Sequence, residues 1–496
     1  MQAHEAIAAH DEFLRSFSTR LRAPGIDSSS LPRIDVLDPA TGRAVAQIPD
    51  APVELAGHCL DTAALGLAEW RRHSDRARSN ALLRASQLLL EQQERFAATM
   101  TREMGKPIAE ARAEVAFSAD YLRWFSEEAV RSYGGYRDAP GGGARLMLTR
   151  HPVGVVLLIT PWNFPLAMGA RKAAAALAAG CSVILKPAEA TPLTSLMLAD
   201  LLLEAGVPEN VFQVVTTGDS SGWSRALMSD ARLKKVSFTG STRVGSKLIE
   251  QSAQHVQKLS LELGGDAPFI VFDDADLERA VSSAIISKIR NGGQACVAAN
   301  RFLVQSGIAE EFSAEFGRRL AALEVGSGFV PGVDLGPMIS EQARRQVSTL
   351  VNEAIGLGAR SRIEHGEEHS EGFFLRPALL TEVPAAASIA STEIFAPVAV
   401  VGTFDSAADA VQRANASPFG LAGYVFSQDV DQAFGVAHAL EVGVLGINKG
   451  LVADASSPFG GIGYSGYGRE GGVEGMQDFQ VLKQFNLDVP ASSVLF

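Results

Sequence analysis

Cysteine is scarce in this chain: only Cys59, Cys181 and Cys296 occur among 496 residues. They are too widely spaced to suggest a disulfide framework or a zinc cluster. Few, unpaired cysteines are typical of proteins in a reducing compartment. We therefore expect a cytoplasmic protein that holds no metal.

Basic residues are too few to balance the acidic ones. The chain has 44 Lys and Arg residues against 56 Asp and Glu, which gives a formal net charge of −12 at pH 7. A negative excess disfavours binding to nucleic acid and favours solubility. The sequence therefore predicts no nucleic-acid partner.

Long hydrophobic runs are also missing. The most apolar stretches, 153–159 and 398–403, are far shorter than the roughly 20 residues that a transmembrane helix needs. Glu5, Asp11 and Glu12 interrupt any signal-peptide pattern at the N-terminus. We expect no association with a membrane.

The chain does contain a regular alternation of short apolar segments and helical patterns. Its length allows two or three domains. The predicted strands of the first alternating region lie at 153–159, 183–185, 211–215 and 235–238, and its predicted helices at 169–180, 192–205 and 222–228. A second alternating region spans 268–444, with predicted strands at 269–272, 302–304 and 398–401. Alternation of this kind predicts the α/β class, with parallel sheets and crossover helices.

The flanking segments have other patterns. The chain begins with a stretch predicted to be irregular, followed by short strands at 34–36 and 45–48 and a long helix at 76–94. Residues 133–150 carry two glycine clusters, which indicates an extended hairpin that leaves the globule. Residues 479–496 are predicted to form a strand followed by a tail.

Three segments carry residues that suit chemistry. Cys296 follows two glycines, which leave room for a reactant, although a lone cysteine is more often a small core residue. Glu262 lies between two leucines and before a glycine pair, where loss of water raises a carboxyl pKa and favours a general base. Asn163 sits on a proline-bracketed turn after a predicted strand, where an amide N–H can stabilise an oxyanion or, alternatively, cap the next helix. Together the three predict a thiol-based acyl-transfer site.

With these residues, the chain resembles the aldehyde dehydrogenase superfamily from about residue 33 to about residue 484. Seven signatures occur in the family's order: TPWNFP at Thr160, LKPAEATP at Leu185, FTGSTRVG at Phe238, LELGG at Leu261, GQACVAANR at Gly293, EIFAPV at Glu393 and SPFGG at Ser457. The resemblance implies a Rossmann-like NAD-binding domain at 1–132 and 152–262 and a catalytic domain at 263–475. It also implies an oligomerisation arm and tail at 133–151 and 476–496, and a homo-oligomer, either a dimer or a tetramer.

The resemblance further implies a catalytic cycle. The Cys296 thiolate attacks the aldehyde to give a thiohemiacetal, whose oxyanion is stabilised by the Asn163 amide and the Cys296 backbone N–H. Hydride transfer to NAD⁺ leaves a thioester, and Glu262 activates the water that hydrolyses it. The alternative hypothesis is that the protein is a non-catalytic structural relative. The presence of Cys296, Glu262 and Asn163 argues against it.

NAD is the expected cofactor. By resemblance, Lys186 and Glu189 contact the adenosine ribose, and the Glu189 carboxylate repels the 2′-phosphate of NADP. A solvated surface ion pair is the alternative for these two residues. By the same resemblance, Ser241 contacts phosphate. The full implied set of cofactor residues is Thr160, Pro161, Trp162, Lys186, Glu189, Gly240, Ser241, Gly245, Glu393 and Phe395.

The expected substrate is a small acidic aldehyde. Arg171 and Arg290 match arginines that hold the remote carboxylate in succinate-semialdehyde dehydrogenases; the alternative is that both pair with acids of the protein. The implied substrate set is completed by Phe164, Ala453 and Phe459. Ala453 stands where that subgroup often has a serine, so glutarate semialdehyde, a sulfonated aldehyde or a neutral aldehyde stays open.

Overall fold

The computed structural model describes residues 2–363 and 371–488. The tail that the sequence predicts after Pro490 lies outside these residues. Two parallel sheets dominate the architecture, each flanked by helices, and a smaller antiparallel sheet stands beside them. The predicted α/β class is confirmed.

The first sheet has six strands. In spatial order they are Gly466–Tyr467, Lys258–Glu262, Leu233–Thr239, Val155–Ile159, Ser182–Lys186 and Phe212–Val214. All pairs are parallel except the one that joins Gly466–Tyr467 to Lys258–Glu262. That edge strand comes from the part of the chain assigned by sequence to the catalytic domain, and a two-residue strand is too short to give a periodic signal.

The register of the first sheet places its strand ends together. Ile159 is paired with Lys186 and with Phe238, and Thr239 is paired with Glu262. Ligands of parallel α/β sheets bind outside the carboxyl ends of the strands. The turns that follow these strands therefore meet at one edge.

The second sheet has seven strands. In spatial order they are Arg360–Ser361, Ala378–Thr381, Val398–Phe404, Ala299–Gln305, Ala267–Val271, Ala422–Phe426 and Val444–Ile447. All pairs except the first are parallel. Phe269, Phe302, Tyr424 and Phe426 are buried on this sheet and pack against one another.

The antiparallel sheet pairs Gly135–Asp138 with Ala144–Pro152, which in turn pairs with Gln480–Asp488. This is the hairpin predicted at 133–150, joined by the predicted C-terminal strand. Its side chains are largely exposed, including Tyr136 and Leu482. Two short antiparallel pairs complete the strands: Arg33–Asp38 with Arg43–Pro49, and Phe419–Gly420 with Ile462–Gly463.

The α-helices of the described residues are Gln2–Phe17, Ala56–Trp70, Asp75–Glu91, Gln93–Met104, Ile108–Ala129, Ala167–Ala179, Leu193–Glu204, Ser220–Met228, Thr242–Ser252, Leu277–Ile289, Ala309–Ala321, Glu341–Gly356, Ala407–Asn415, Val430–Ala439 and Gly472–Gln477. Short 3₁₀ turns occupy Val53–Leu55, Ala253–His255, Arg290–Gly293 and Ser388–Ala390. None of these helices combines the length and the apolar character that crossing a bilayer requires.

Two expectations about helices were wrong. The start of the chain is helical over Gln2–Phe17 rather than irregular, because Phe13, Leu14 and Phe17 pack on the main hydrophobic core. The helix predicted at 76–94 ends at Glu91, where Gln92 leaves helical geometry and a second helix begins.

Candidate active site

Cys296 lies on a loop with an unusual backbone. Helix Leu277–Ile289 ends just before it, and Asn291, Gly292 and Gly293 all have positive φ, at 59°, 66° and 72°. A side chain on Gly293 would lie 2.3 Å from the Ala396 carbonyl oxygen. The glycine pair therefore allows a left-handed turn and close packing of the loop, rather than only leaving room for a reactant.

A cavity of about 240 Å³ opens at Cys296 and is mostly apolar. It brings together many of the residues predicted for the site: Pro161, Trp162, Asn163, Phe164, Arg171, Gly240, Ser241, Arg290, Glu393, Phe395, Ala453 and Phe459. The strand-end turns of the first sheet thus meet the loop of the second sheet that carries the thiol.

Other predicted residues do not line this cavity. They are Thr160, Lys186, Glu189, Gly245 and Glu262. Gly245 has a packing role, since a side chain there would lie 2.7 Å from Leu263. Lys186 and Glu189 form an ion pair of 2.7 Å, but Lys186 is buried, so the pair is not the solvated surface pair of the alternative interpretation; the Ser220 hydroxyl donates to the same carboxylate.

Sequence reasoning missed several lining residues: Phe117, Met168, Thr239, Leu263, Gly264, Ala295 and Val297. Most of them flank a residue that was identified, so proximity in a motif was an available signal. No sequence signal pointed to Phe117, because an aromatic residue within helix Ile108–Ala129 looks like an ordinary packing residue.

Asn163 is held in place against the loop that carries Cys296, residues 290–296, which we call the nucleophile loop. Its Nδ2 donates to the Gln294 carbonyl at 2.9 Å, and its own carbonyl accepts from Asn291 Nδ2 at 2.9 Å. An amide nitrogen has two hydrogens. The Gln294 bond uses one of them, and the other has no acceptor among the residues that the structure describes.

The Cys296 thiol is in a weakly solvated environment. Burial raises its pKa to about 12, opposed by the positive charge of Arg171 and reinforced by Glu262 and Glu393. At neutral pH the residue is therefore a thiol in the protein alone. Additional positive charge near the sulfur would be needed to generate the thiolate nucleophile.

Glu262 is the last residue of its strand and is 2% exposed. Within the described residues neither of its carboxylate oxygens has a hydrogen-bond partner. Burial, aided by the negative charge of Glu470, holds the pKa of this carboxyl well above its usual range. These surroundings suit a group that takes up and releases a proton.

Arg171 has a protein partner. Its Nη2 lies 2.6 Å from Glu470 Oε2, and the adjacent Lys172 pairs with the other oxygen of the same carboxylate. Its guanidinium also stacks over Phe459, 4.7 Å from the ring centre. The expectation that both arginines are free to hold a substrate anion is therefore revised for Arg171, whose charge Glu470 already offsets.

Arg290 is different. It is partly exposed and lines the cavity, with its guanidinium carbon 5.1 Å from the centre of the Phe164 ring. Across residues 2–363 and 371–488 it has no ion pair within 4.0 Å. An unpaired guanidinium on an apolar cavity is positioned to bind an anion.

The predicted cofactor residues suit a nicotinamide dinucleotide. Glu393 Oε1 accepts a bond from Gly265 N at 2.9 Å, and burial raises the pKa of this carboxyl to about 7. The rings of Trp162 and Phe395 meet edge to face, 5.6 Å apart. The Thr239 hydroxyl is buried beside them without a partner in the described part of the chain. An unsatisfied hydroxyl and a carboxylate in one apolar cavity suit a ribose and a carboxamide.

The chain is similar in sequence and in fold to known dehydrogenases. Residues 26–485 match the sequence profile of the Aldehyde dehydrogenase family. The fold is similar to the crystal structure of betaine aldehyde dehydrogenase from Staphylococcus aureus in complex with NAD⁺, with a TM-score of 0.94, 30% identity and 98% of each chain covered.

Three relatives are more similar in sequence. The succinate-semialdehyde dehydrogenase of Paenarthrobacter nicotinovorans is 46% identical over 446 residues, which cover 90% of this chain and 99% of that protein. The 3-sulfolactaldehyde dehydrogenase of Pseudomonas putida is 44% identical, with 90% and 92% covered. The NADP(+) succinate-semialdehyde dehydrogenase of Escherichia coli K12 is 42% identical, with 92% and 95% covered.

Proposed function

Because the chain belongs to the aldehyde dehydrogenase family and is an aldehyde-oxidising enzyme, we propose that it oxidises an acidic semialdehyde to the carboxylic acid with NAD⁺. Succinate semialdehyde is the first candidate substrate. The observation that carries this proposal is Arg290, whose guanidinium lies on the apolar cavity of Cys296 and forms no ion pair with any residue that the structure describes. Relatives named for succinate semialdehyde and for 3-sulfolactaldehyde, which are both anionic aldehydes, support it.

The proposed chemistry uses three residues. The Cys296 thiol loses its proton to solvent, Cys296 Sγ bonds to the aldehyde carbon, and the second N–H of the Asn163 amide together with the Cys296 backbone N–H stabilises the resulting oxyanion. Bound NAD⁺ supplies the hydride acceptor, and its positive ring favours the thiolate. Glu262 then takes a proton from the water that hydrolyses the Cys296 thioester, and the acid is released.

Glu262 does not line the cavity and interacts electrostatically with Glu470, so a side-chain rotation or a bridging water must connect this base to the thioester. Its isolation supports such a role, because none of the residues that the structure describes donates a hydrogen bond to the carboxylate. Its raised pKa makes it a stronger base than an ordinary glutamate once it is ionised.

NAD⁺ is proposed over NADP⁺ because of Glu189. Its carboxylate, with a side chain 37% exposed, lies beyond the end of strand Ser182–Lys186 and is fixed by Lys186 and Ser220. A fixed carboxylate can accept bonds from both ribose hydroxyls and repels a 2′-phosphate. The NADP(+) relative at 42% identity shows that overall similarity does not decide this preference.

Glu189→Ser should narrow the preference for NAD⁺. Removing the like charge should raise kcat/KM for NADP⁺ relative to NAD⁺ by about tenfold, equivalent to roughly 1.4 kcal/mol. Initial rates of reduced-nicotinamide formation with each cofactor, at saturating aldehyde, measure the ratio. Equal kcat/KM values for the two cofactors in the unaltered enzyme would rule out the proposed ribose contact.

Arg290→Gln should raise KM for succinate semialdehyde by about one to three powers of ten, since one or two charge-assisted hydrogen bonds of roughly 1.5–3 kcal/mol are lost. KM for butanal, which has the same chain length without the carboxylate, should hardly change. Arg290→Lys keeps the charge but loses the planar guanidinium, so its KM for succinate semialdehyde should lie between those of the unaltered enzyme and Arg290→Gln. Initial-rate kinetics with both aldehydes give the comparison.

The same assay separates the remaining candidates. Ala453 offers no hydrogen-bond donor and leaves space, so the five-carbon semialdehyde and a sulfonated aldehyde are included beside succinate semialdehyde. Higher kcat/KM for one of these would change the named substrate and keep the anionic class. A clear preference for butanal by the unaltered enzyme would show that Arg290 is structural and that the acidic-substrate proposal fails.

A homo-oligomer in the cytoplasm is also proposed. The antiparallel sheet built from Gly135–Asp138, Ala144–Pro152 and Gln480–Asp488 leaves Tyr136, Leu482 and Leu487 exposed. Exposed apolar side chains on one sheet favour association with another subunit. Light scattering during gel filtration distinguishes a monomer from a dimer and a tetramer.

A further inference from the structure

Three charged residues near the start of helix Ile108–Ala129 lie beside the site, two of them buried and Glu110 half-buried, and the proposed chemistry does not use them. Lys106 and Glu114 are each 2% exposed and form an ion pair of 2.5 Å. Glu110 lies between them in the chain and contacts the loop that carries Cys296. A buried ion pair seldom adds stability over an apolar pair of similar size. We therefore consider what the contacts of these residues hold in position.

Lys106 and Glu114 hold the turn that presents Asn163. Lys106 Nζ donates to the Asn163 carbonyl at 2.9 Å and lies 4.4 Å from the centre of the Phe164 ring. Glu114 Oε1 accepts from the backbone amides of Leu166 and Ala167, both at 3.0 Å. The Asn163 carbonyl in the turn and the two amides after the turn are therefore fixed by one ion pair.

Glu110 holds the nucleophile loop. Both of its carboxylate oxygens accept from the backbone amide of Asn291, at 3.1 and 3.0 Å. Asn291 has a positive φ, which costs an ordinary residue conformational energy and persists only where its surroundings impose it. Its side chain in turn donates to the Asn163 and Gln294 carbonyls.

We propose that Lys106, Glu110 and Glu114 form a clamp that fixes the oxyanion-binding amide of Asn163 against the Cys296 loop. The three are positioning residues, and the inference rests on the proposed roles of Asn163 and Cys296. The clamp acts on steps that build negative charge on a carbonyl oxygen. It does not act on steps at Cys296 that form no oxyanion.

Two reagents separate these kinds of step. With 4-nitrophenyl acetate, Cys296 sulfur bonds to the acyl carbon through an oxyanion, the ester bond breaks and nitrophenolate leaves, while the thiol proton passes to solvent. With iodoacetamide, sulfur bonds to the methylene carbon, iodide leaves and no oxyanion forms. The first rate is read from nitrophenolate release and the second from mass spectrometry of the Cys296 peptide.

Two variants remove the clamp's contacts. The double variant Lys106→Met with Glu114→Gln removes the bond to Asn163 without leaving a buried charge unpaired, and the Gln oxygen still accepts from Leu166 and Ala167. Glu110→Ala removes the bonds to Asn291. In each, acylation should slow by about tenfold to a hundredfold, the scale of a misplaced oxyanion donor, while alkylation stays within about twofold of the unaltered protein. Glu110→Gln keeps an acceptor for Asn291 N and should restore most of the acylation rate.

Glu103 provides the matched control. It is buried on helix Gln93–Met104 and accepts from the backbone amides of Leu193 and Thr194, so it caps a helix as Glu114 does but contacts neither catalytic segment. Glu103→Ala should leave both rates nearly unchanged. Equal losses of acylation and alkylation in the clamp variants, unchanged acylation, or an equal loss in Glu103→Ala would overturn the clamp. Absence of acylation at Cys296 in the unaltered protein would instead overturn the proposed nucleophile.

Discussion

Cys296→Ala should abolish aldehyde oxidation, lowering kcat by about four powers of ten or more, because removing the nucleophile removes the covalent route. The fold should survive, since Cys296 lines the cavity and its substitution leaves no large void. Binding of NAD⁺ should persist, because the residues proposed to contact the dinucleotide are other ones. Steady-state formation of NADH and fluorescence titration with NADH measure the two effects.

Cys59→Ala is the matched control. Cys59 is a buried free cysteine in the core below the first sheet and lies outside the cavity. Its substitution removes a thiol from the protein without touching the site, so the specific activity of the folded enzyme should stay close to that of the unaltered protein. Activity near the unaltered level in Cys296→Ala would contradict the nucleophile assignment.

Glu262→Gln should separate the two halves of the reaction. Hydride transfer should still give a burst of NADH, whereas steady-state turnover should fall by about two to four powers of ten, the usual contribution of a general base. Stopped-flow absorbance records both phases. Loss of the burst together with turnover would show that Glu262 acts before hydride transfer.

The pH dependence follows from the same carboxyl. Its pKa is held well above the usual range, first by burial and then by Glu470, so it is protonated where an ordinary glutamate is ionised. Only the ionised form is a base, so the deacylation rate should rise with pH through a range above the one in which an ordinary glutamate ionises. In Glu262→Gln this rise should disappear from the deacylation step.

The contribution of Glu262 to the stability of the folded enzyme should fall as pH rises, whereas the deacylation rate increases. A buried carboxyl with a raised folded pKa contributes stability at low pH, and the contribution is lost as pH rises through that pKa. The neutral amide of Glu262→Gln has no charge to bury. Its melting temperature should therefore equal or exceed that of the unaltered enzyme at pH values where Glu262 is ionised, which separates a catalytic loss from unfolding.

The elements around the site were predictable because they end in residues with distinct backbone requirements. Strand Val155–Ile159 is apolar throughout and is followed by a turn with prolines at both ends, so Asn163 could be placed at a strand end. The glycines before Cys296 were predicted to leave room for a reactant, whereas the structure shows that they also allow a turn in which all three residues from Asn291 to Gly293 have a positive φ. Register then brings the strand ends together, as parallel pairing requires.

The charge partners of the site could not be predicted from local pattern. Glu470 reaches Arg171 and Lys172 from a distant segment, and nothing near Glu470 in sequence distinguishes it from a surface carboxylate. Arg171 and Arg290 look alike as arginines beside catalytic motifs, yet one is ion-paired and the other is not. Only the three-dimensional arrangement separates an arginine that balances a buried acid from one that can bind an anion.

The central claim is that an acidic aldehyde becomes a thioester on Cys296 that Glu262 helps to hydrolyse. Its most direct test is mass spectrometry of Glu262→Gln, quenched in acid after one turnover with NAD⁺ and succinate semialdehyde. The account predicts one acyl group per chain, mapped to the Cys296 peptide, and a smaller yield with Arg290→Gln added. An unmodified Cys296 after NADH has formed, or an acyl group on another residue, would contradict it.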